Sequence, residues 1–174
     1  GLMSIIIVGN GTSILDKLNG DKIDAFDTVL RFNSFKIKGH EKHTGTKTDI
    51  WFTVNSAHAS RIDAFREVVI HSWQWNADKC KTYQNLYEKR NDCTKTSREF
   101  VRENIDLKSP STGIIAIHMM LERYDKVVIT GFDWWGREDH HYGDKEKRGS
   151  LHDPSKEHEI IKELINKNKV IFLD

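Results

Sequence analysis

The run Ile5–Val8 constrains the fold of this chain more than any other feature of the sequence. Four β-branched residues follow one another and end directly in Gly9-Asn10-Gly11. A short, uninterrupted apolar run closed by glycines is typical of a buried strand followed by a tight turn. The chain is therefore expected to contain a sheet whose first strand lies in the core.

Further short apolar segments repeat this pattern along the sequence. Additional strands are predicted at residues 27–32, 49–54, 67–71, 126–130 and 170–173. Helices are predicted at 14–18 after the capping residues Thr12 and Ser13, at 57–66 and at 114–121, with one or two exposed helices within 73–103. A last helix is predicted to run to about residue 166, with Asp153 as its N-cap and Pro154 as its first residue. Strands that alternate with helices indicate one α/β domain over residues 1–174, Rossmann-like, with a mainly parallel sheet flanked by helices. Ligands bind such sheets outside the carboxyl ends of the strands.

The composition argues against several classes of protein. The formal net charge of +1 gives no electrostatic sign of a nucleic-acid partner. No apolar run is long enough to span a bilayer, and no secretory signal is recognised. Gly1 and Leu2, ahead of Met3, are interpreted as cloning residues, and an anchor outside this sequence is left open. Cys80 and Cys93 form no CxxC pair and are predicted to be free thiols in a reducing compartment.

The segment Val8-Gly9-Asn10-Gly11-Thr12-Ser13 is the first candidate for a binding site. Its glycines would let backbone N–H groups approach an anion closely. The spacing matches neither the GxGxxG fingerprint of dinucleotide-binding proteins nor a P-loop. It is therefore either an anion-binding turn or an ordinary strand-to-helix turn.

The segment Pro110-Ser111-Thr112-Gly113 is the second candidate, because it precedes an apolar helix. Hydroxyl groups and backbone N–H groups at a helix N-terminus form a natural seat for a phosphate. The alternative interpretation is a capped, buried helix with no ligand.

A histidine-rich loop is the third candidate. It contains Asp139-His140-His141-Tyr142 and is followed by His152-Asp153 and Glu157-His158. Three interpretations stay open: a zinc site, although the spacing matches no standard zinc motif; an acid/base role for His152 beside a helix N-terminus; and surface histidines without a role.

Taken together and in order, these stretches resemble the eukaryotic-type sialyltransferases (glycosyltransferase family 29). The family's long motif is matched by residues 7–11, 24–33 and 39–48, and its short motif by Pro110 to Gly113 and on to Gly131-Phe132. Its two small motifs are matched by His140-His141-Tyr142 and by His152-Asp153 with Glu157. Bacterial sialyltransferases are a looser match. The resemblance implies a GT-A-like sialyltransferase variant of the α/β fold.

The resemblance also implies roles for individual residues. The base that takes the proton of the acceptor hydroxyl would be His152, and Glu157 would support the site rather than act chemically. The group that contacts the leaving phosphate would be His141. The remaining contacts to the CMP nucleotide would come from Asn10, Asn33, Ser111, Thr112, Gly113, Gly131, Phe132 and His140.

The implied reaction is a metal-independent transfer of sialic acid from CMP-sialic acid to a glycan hydroxyl, with inversion at the sugar carbon. The leaving phosphate is weakly basic, so hydrogen-bond donors at a helix end can stabilise its charge. The sequence contains no Asp-x-Asp metal clamp, and no cofactor is expected.

The chain departs from the family in its cysteines. Family members usually pair a cysteine of the long motif with one of the short motif, but here no cysteine precedes Gly9 and Tyr124 stands before Asp125. This departure, together with the short chain, favours a cytoplasmic enzyme of a microbe, phage or virus over the secretory pathway.

Three other functions are kept open. The donor could be CMP-Kdo or another CMP-nonulosonate used for surface polysaccharide, the chain could be an inactive CMP-binding module, or the histidine loop could belong to a zinc hydrolase. The acceptor is expected to touch the segment 73–108, and Trp134 and Trp135 are candidates to line the site.

Overall fold

The computed structural model describes residues 4–54, 56–72, 80–133 and 152–173, and these form a seven-stranded sheet. The strands are β1 (Ile5–Val8), β2 (Thr28–Phe32), β3 (Ile50–Thr53), β4 (Glu67–Ile70), β5 (Thr94–Lys95), β6 (Val127–Thr130) and β7 (Val170–Phe172). Their order is β5-β4-β3-β2-β1-β6-β7, and every neighbouring pair is parallel. The α/β Rossmann-like fold with a parallel sheet is therefore confirmed.

The strand order reverses between β1 and β6. From β1 the chain proceeds outward through β2, β3, β4 and β5, and only then returns to β6 on the other side of β1. Such a reversal opens a crevice at the carboxyl ends of the two strands. The sheet thus places residues 9–11 and 131–133 together at one edge.

Helices connect the strands on both faces of the sheet. They are α1 (Gly20–Asp24), α2 (Glu41–Thr44), α3 (Lys81–Lys89), α4 (Arg98–Asn104), α5 (Thr112–Leu121) and α6 (Pro154–Asn166), with 3₁₀ helices at Thr12–Asp16 and Ser56–Ala64. Within the described ranges, no helix combines the length and apolar character needed to cross a membrane.

Two predicted helices were wrong in type. The segment predicted at 14–18 is a 3₁₀ helix that begins at Thr12, and its N-cap is Gly11, without a side-chain cap. The segment predicted at 57–66 is also 3₁₀, and the guanidinium of Arg90 donates to the carbonyls of Ile62 and Arg66 at its end. Both segments connect a strand to the next element of the fold, a position where 3₁₀ geometry is frequent, although the second one is unusually long at nine residues.

Successive residues of the strands alternate between two cores. Ile5, Ile7, Leu30 and Phe52 face α5 and α6, where Ile114 to Ile117 are fully buried. On the opposite face, Ile6 and Val29 pack with α1, while Trp51 and Ile70 pack with α3. Both faces are covered, as the uninterrupted apolar run of β1 requires.

Hydrogen bonds tie the strands together at the amino edge of the sheet. Cys80 and Cys93, which were predicted to be free thiols, form no disulfide with each other, and both are buried. Tyr124, which stands where the resemblance calls for a cysteine, shares a hydrogen bond of 3.0 Å with the hydroxyl of Thr28 at the start of β2. Ser4 donates from its backbone to Asp27 at 2.9 Å.

Arg31 on β2 fixes the segment that follows α2. Its side chain is 1% exposed and donates to the carbonyls of Thr44 and Lys47 and to the hydroxyls of Thr44 and Thr48. Burial lowers its pKa to about 10, and the charge of Asp24 opposes that shift. Three residues of the motif-like stretch 39–48, Thr44, Lys47 and Thr48, therefore hold a buried cation.

His71 follows β4 in a wholly buried position, and this makes stability depend on pH. Its Nδ1 lies 2.8 Å from the hydroxyl of Thr96, and burial lowers its pKa from 6.5 to about 4. The unfolded chain therefore binds more protons than the native chain between these two values, and stability falls as the pH decreases through this window.

We expect His71 alone to reduce the free energy of unfolding by about 2 kcal/mol between pH 7 and pH 5. Urea denaturation at both pH values would measure this loss, which should be smaller in His71→Gln than in the parent. His58→Gln, at a partly buried position, is the matched control. An equal loss in the parent and in His71→Gln would contradict the assignment.

Candidate active site

Two glycine-containing turns interlock at the carboxyl ends of β1 and β6. Gly9 donates its backbone N–H to Thr130 at 2.8 Å, and Gly11 donates to Gly131 at 2.7 Å. Gly131 has φ +78°, and a Cβ placed on it would lie 2.4 Å from the carbonyl oxygen of Gly9. The N–H groups of Gly9 and Gly11 are therefore occupied by protein carbonyls, which favours a structural turn over direct binding of an anion by these two groups.

Gly131→Ala is predicted to separate the two turns. Alanine at this position would have to adopt a left-handed backbone, and its Cβ would also clash with the backbone of Gly9. A loss of about 3 kcal/mol or more in unfolding free energy is therefore expected. Gly39→Ala is the matched control, since Gly39 has φ +87° but nothing within 4 Å of the position that the new methyl group would take, and backbone strain alone of about 1–2 kcal/mol is expected there. Equal losses in denaturation experiments would show that the close approach of the turns has no energetic role.

Asp133 holds the residues after the first turn, a contact that the sequence did not indicate. Its carboxylate accepts from the backbone N–H of Ser13 at 3.2 Å, from the hydroxyl of Ser13, and from the hydroxyl of Thr12 at 3.4 Å. The two hydroxyls predicted to cap a helix thus bind a residue of the β6 turn instead. Asp133 links the two sides of the crevice.

Asn10 and Asn33 follow the neighbouring strands β1 and β2. Asn10 is exposed, and its Nδ2 donates to the carbonyl of Phe32 at 3.1 Å. Asn33 has φ +48°, which asparagine tolerates better than most residues, and its Oδ1 accepts from the backbone N–H of Val54 at 2.9 Å. Each contact fixes which end of the amide is the nitrogen. Each amide nitrogen therefore keeps at least one hydrogen with which to bind a ligand.

Ser111 is the N-cap of α5, and it is bound on two sides by Glu157 of α6. Its backbone N–H donates to Oε2 at 2.9 Å and its hydroxyl donates to Oε1 at 2.6 Å, while the hydroxyl accepts from Ile114 at 3.4 Å. Ser111 is 4% exposed and Glu157 is 1% exposed. Both hydrogens that Ser111 could offer to a phosphate are thus given to Glu157, and the donors left at this helix end are those of Thr112 and Gly113.

His152 lies immediately before the N-cap of α6. Asp153 accepts from Lys156 at 3.1 Å and Pro154 is the first helical residue, as the sequence predicted. Nδ1 of His152 lies 2.8 Å from the carbonyl oxygen of Ser109, which can only accept, so Nδ1 carries the hydrogen. In the neutral ring, Nε2 then carries the lone pair, which is the state required of a base.

The topology brings these groups to one edge of the sheet. Helices α5 and α6 lead into β6 and β7, so their N-termini lie at the carboxyl ends of those strands. Two contacts join the helix starts directly, from His152 to Ser109 and from Glu157 to Ser111. The base candidate and the phosphate seat therefore belong to one connected unit beside the crevice.

The other predicted site residues are accounted for as follows. Phe132 is half-buried and packs edge-on against Phe32, with ring centroids 6.0 Å apart. The carbonyl oxygen of Gly131 accepts a hydrogen bond from the backbone N–H of Gly11. His140 and His141 lie outside the described residues, as do Trp134 and Trp135. Within the ranges that are described, no group of histidine, cysteine or acidic side chains could hold a metal ion.

Comparisons with known proteins identify the same family along nearly the whole chain. Residues 2–95 and 84–169 match glycosyltransferase family 29 (sialyltransferase). A rat CMP-N-acetylneuraminate-beta-1,4-galactoside alpha-2,3-sialyltransferase is 27% identical over 164 residues, which span 74% of this chain and 44% of the rat protein. The human type 2 lactosamine alpha-2,3-sialyltransferase is 26% identical in an alignment 210 residues long, which covers 97% of this chain and 63% of the human protein.

A solved structure has the same fold. The crystal structure of a mammalian sialyltransferase in complex with Gal-beta-1-3GalNAc-ortho-nitrophenol superimposes with a TM-score of 0.67 at 21% identity, over 99% of this chain and 69% of that one. The chain spans 44% of the length of the rat relative and 63% of the length of the human one, less than two thirds of either.

Proposed function

Because the matched segments together cover most of its length, the chain belongs to glycosyltransferase family 29, and we propose that it transfers sialic acid from CMP-sialic acid to a hydroxyl group of a glycan. The observation that carries the mechanism is the hydrogen bond from His152 to Ser109. It supports a base of defined tautomer beside the start of α5.

In the proposed reaction, Nε2 of His152 takes the proton of the acceptor hydroxyl. The acceptor oxygen forms a bond to the anomeric carbon of sialic acid as the bond from that carbon to the phosphate oxygen breaks. The electron pair of the broken bond leaves with the phosphate, so CMP is released and the sugar carbon is inverted. The carbonyl of Ser109 stabilises the charge that develops on the imidazole ring.

The negative charge on the departing phosphate is stabilised by neutral hydrogen-bond donors. The amide hydrogens of Asn10 and Asn33 and the backbone N–H groups of Thr112 and Gly113 are suited to this role, since they lie at the carboxyl edge of the sheet and at a helix N-terminus. His141 stays a predicted contact to the same phosphate. A leaving group of low basicity needs no metal ion in this scheme.

A donor assay tests the proposal. CMP-sialic acid with a radiolabelled sugar would be incubated with lactose and with N-acetyllactosamine, because the names of the two relatives specify a beta-1,4-galactoside and type 2 lactosamine. Transfer that persists in excess EDTA is expected. CMP-Kdo would be tested as donor in parallel, and binding of CMP would be measured by calorimetry. Transfer only from CMP-Kdo would identify the alternative donor, CMP binding without turnover would identify an inactive module, and loss of activity on chelation would overturn the metal-independent mechanism.

A further inference from the structure

A second cavity lies on the face of the sheet opposite α5 and α6. Its volume is about 630 Å³, and the described residues that line it are Phe35, Lys36, Ile37, Lys38, Thr46, Thr48, Arg61, Ala64 and Phe65. Three of these side chains are cationic and none is acidic. Because the whole chain has nearly equal numbers of basic and acidic residues, a cavity lined by one sign of charge suggests an anionic ligand.

Arg61 is held in a fixed position at this cavity. Its guanidinium carbon lies 4.0 Å from the centroid of Phe35, and its Nη1 donates to the carbonyl of Asn33 at 2.8 Å. These contacts orient the planar group and use only Nη1. The donors on Nε and Nη2 have the geometry that binds an oxyanion through two parallel hydrogen bonds.

Arg61 also differs from the other partly buried arginines of the described chain. Each of the three guanidinium nitrogens of Arg31 donates to a carbonyl or hydroxyl oxygen, and Arg90 pairs with Asp92 at 2.7 Å. Burial lowers the pKa of Arg61, and no carboxylate among the described residues offsets this effect. Among the described residues no carboxylate forms an ion pair with this half-buried guanidinium, so it lacks the compensation that such groups usually have.

The cavity lies beside the candidate active site. A neighbouring cavity of about 300 Å³ runs from the Gly9–Gly11 turn and shares Phe35 and Lys36 with it. The carbonyl that orients Arg61 belongs to Asn33, whose amide is a candidate donor to the leaving phosphate. A volume of about 630 Å³ is also far larger than a single oxyanion needs and suits a ligand of several rings.

We propose that this cavity binds the acidic group of an anionic saccharide, with Arg61 and the flanking Lys36 and Lys38 as its cationic partners. The choice of a saccharide rests on the proposed function, and the ligand would be an acceptor that carries a carboxylate or sulfate ester. The hydroxyl of Thr48, which accepts from Arg31 at 3.1 Å, keeps its own hydrogen for such a ligand.

Nuclear magnetic resonance on the ¹⁵N-labelled chain without donor tests the proposal. Lactose, lactose 3′-sulfate and sodium sulfate would be titrated separately at constant ionic strength while the Nε–H signal of Arg61 is followed. Lactose 3′-sulfate is expected to shift this signal and to bind about tenfold more tightly than either other probe. Equal binding of lactose 3′-sulfate and sodium sulfate would show that the site does not recognise the saccharide. The absence of any shift of the Arg61 signal would show that the cavity is not an anion site.

Variants separate binding from folding. Arg61→Gln should abolish the advantage of lactose 3′-sulfate but also removes contacts to the backbone, so Lys36→Gln combined with Lys38→Gln is the second variant, at exposed positions. Lys162→Gln combined with Lys169→Gln changes the net charge equally at exposed positions of α6 and of the turn before β7, neither of which lines the cavity, and should keep the advantage. If this control loses the tighter binding of lactose 3′-sulfate as fully as the Lys36 and Lys38 variant does, the preference depends only on net charge and the proposed site is refuted.

Two further outcomes are informative. Displacement of lactose 3′-sulfate by CMP would assign the cavity to the nucleotide and overturn a separate site. Because the titration needs no turnover, selective binding of lactose 3′-sulfate by a chain that transfers no sugar would uphold the cavity while the proposed function fails.

Discussion

His152→Ala is expected to reduce kcat/KM for sialic acid transfer by about 10²–10⁴-fold, the usual contribution of a positioned general base. The substitution removes Nε2, the nitrogen that takes the proton of the sugar acceptor's hydroxyl group. It leaves the donors of Asn10, Asn33 and Gly113 in place, so the Kd for CMP should change by less than about threefold. Steady-state kinetics with labelled donor and calorimetry with CMP measure the two quantities separately.

His118 offers a matched control for this variant. Its Nδ1 also lies 2.8 Å from a backbone carbonyl, that of Ile114, but it lies in the second half of α5, away from the helix start. His118→Ala should lower stability and leave kcat/KM within about threefold of the parent, since it removes no group near the proposed reaction. Full activity of His152→Ala, or an equal loss in both variants, would remove His152 from the mechanism.

The sequence predicted the sheet well because its strands are determined by local apolar runs. The strands β1, β2 and β6 end within about two residues of their predicted limits, and β5 was missed because Thr94–Lys95 is too short to carry a pattern. The N-cap of α6 was also predictable, since Asp153 and Pro154 act within a single turn. These features need no knowledge of distant contacts.

The contacts that organise the candidate site could not be predicted in the same way. Asp133 binds Ser13 across 120 positions of the sequence, and Glu157 binds Ser111 across 46. The first pair depends on the strand reversal between β1 and β6, and the second on how the starts of α5 and α6 meet on either side of β6. No local pattern encodes either arrangement. The resemblance indicated that Glu157 supports the site. Only the folded chain shows that its carboxylate accepts hydrogen bonds from both the backbone N–H and the hydroxyl of Ser111.

The pair formed by Glu157 and Ser111 gives the second large expected effect. Glu157→Gln keeps the shape of the side chain but offers one acceptor where Ser111 presents two donors, so one buried hydrogen bond is lost. We expect a loss of about 1–3 kcal/mol in unfolding free energy. The start of α5 should also lose its alignment, and the Kd for CMP is expected to rise by about tenfold or more, as measured by calorimetry.

A double-mutant cycle distinguishes a positioning role from a chemical one. If Glu157 acts through Ser111, then Ser111→Ala combined with Glu157→Gln should weaken CMP binding little more than the worse single variant, because both changes break the same contact. Glu163→Gln, at an exposed position of the same helix, controls for the lost charge and should leave the Kd unchanged. Additive effects, or a Glu157→Gln enzyme that binds CMP normally but has an altered pH profile for kcat, would instead place Glu157 in the proton transfer.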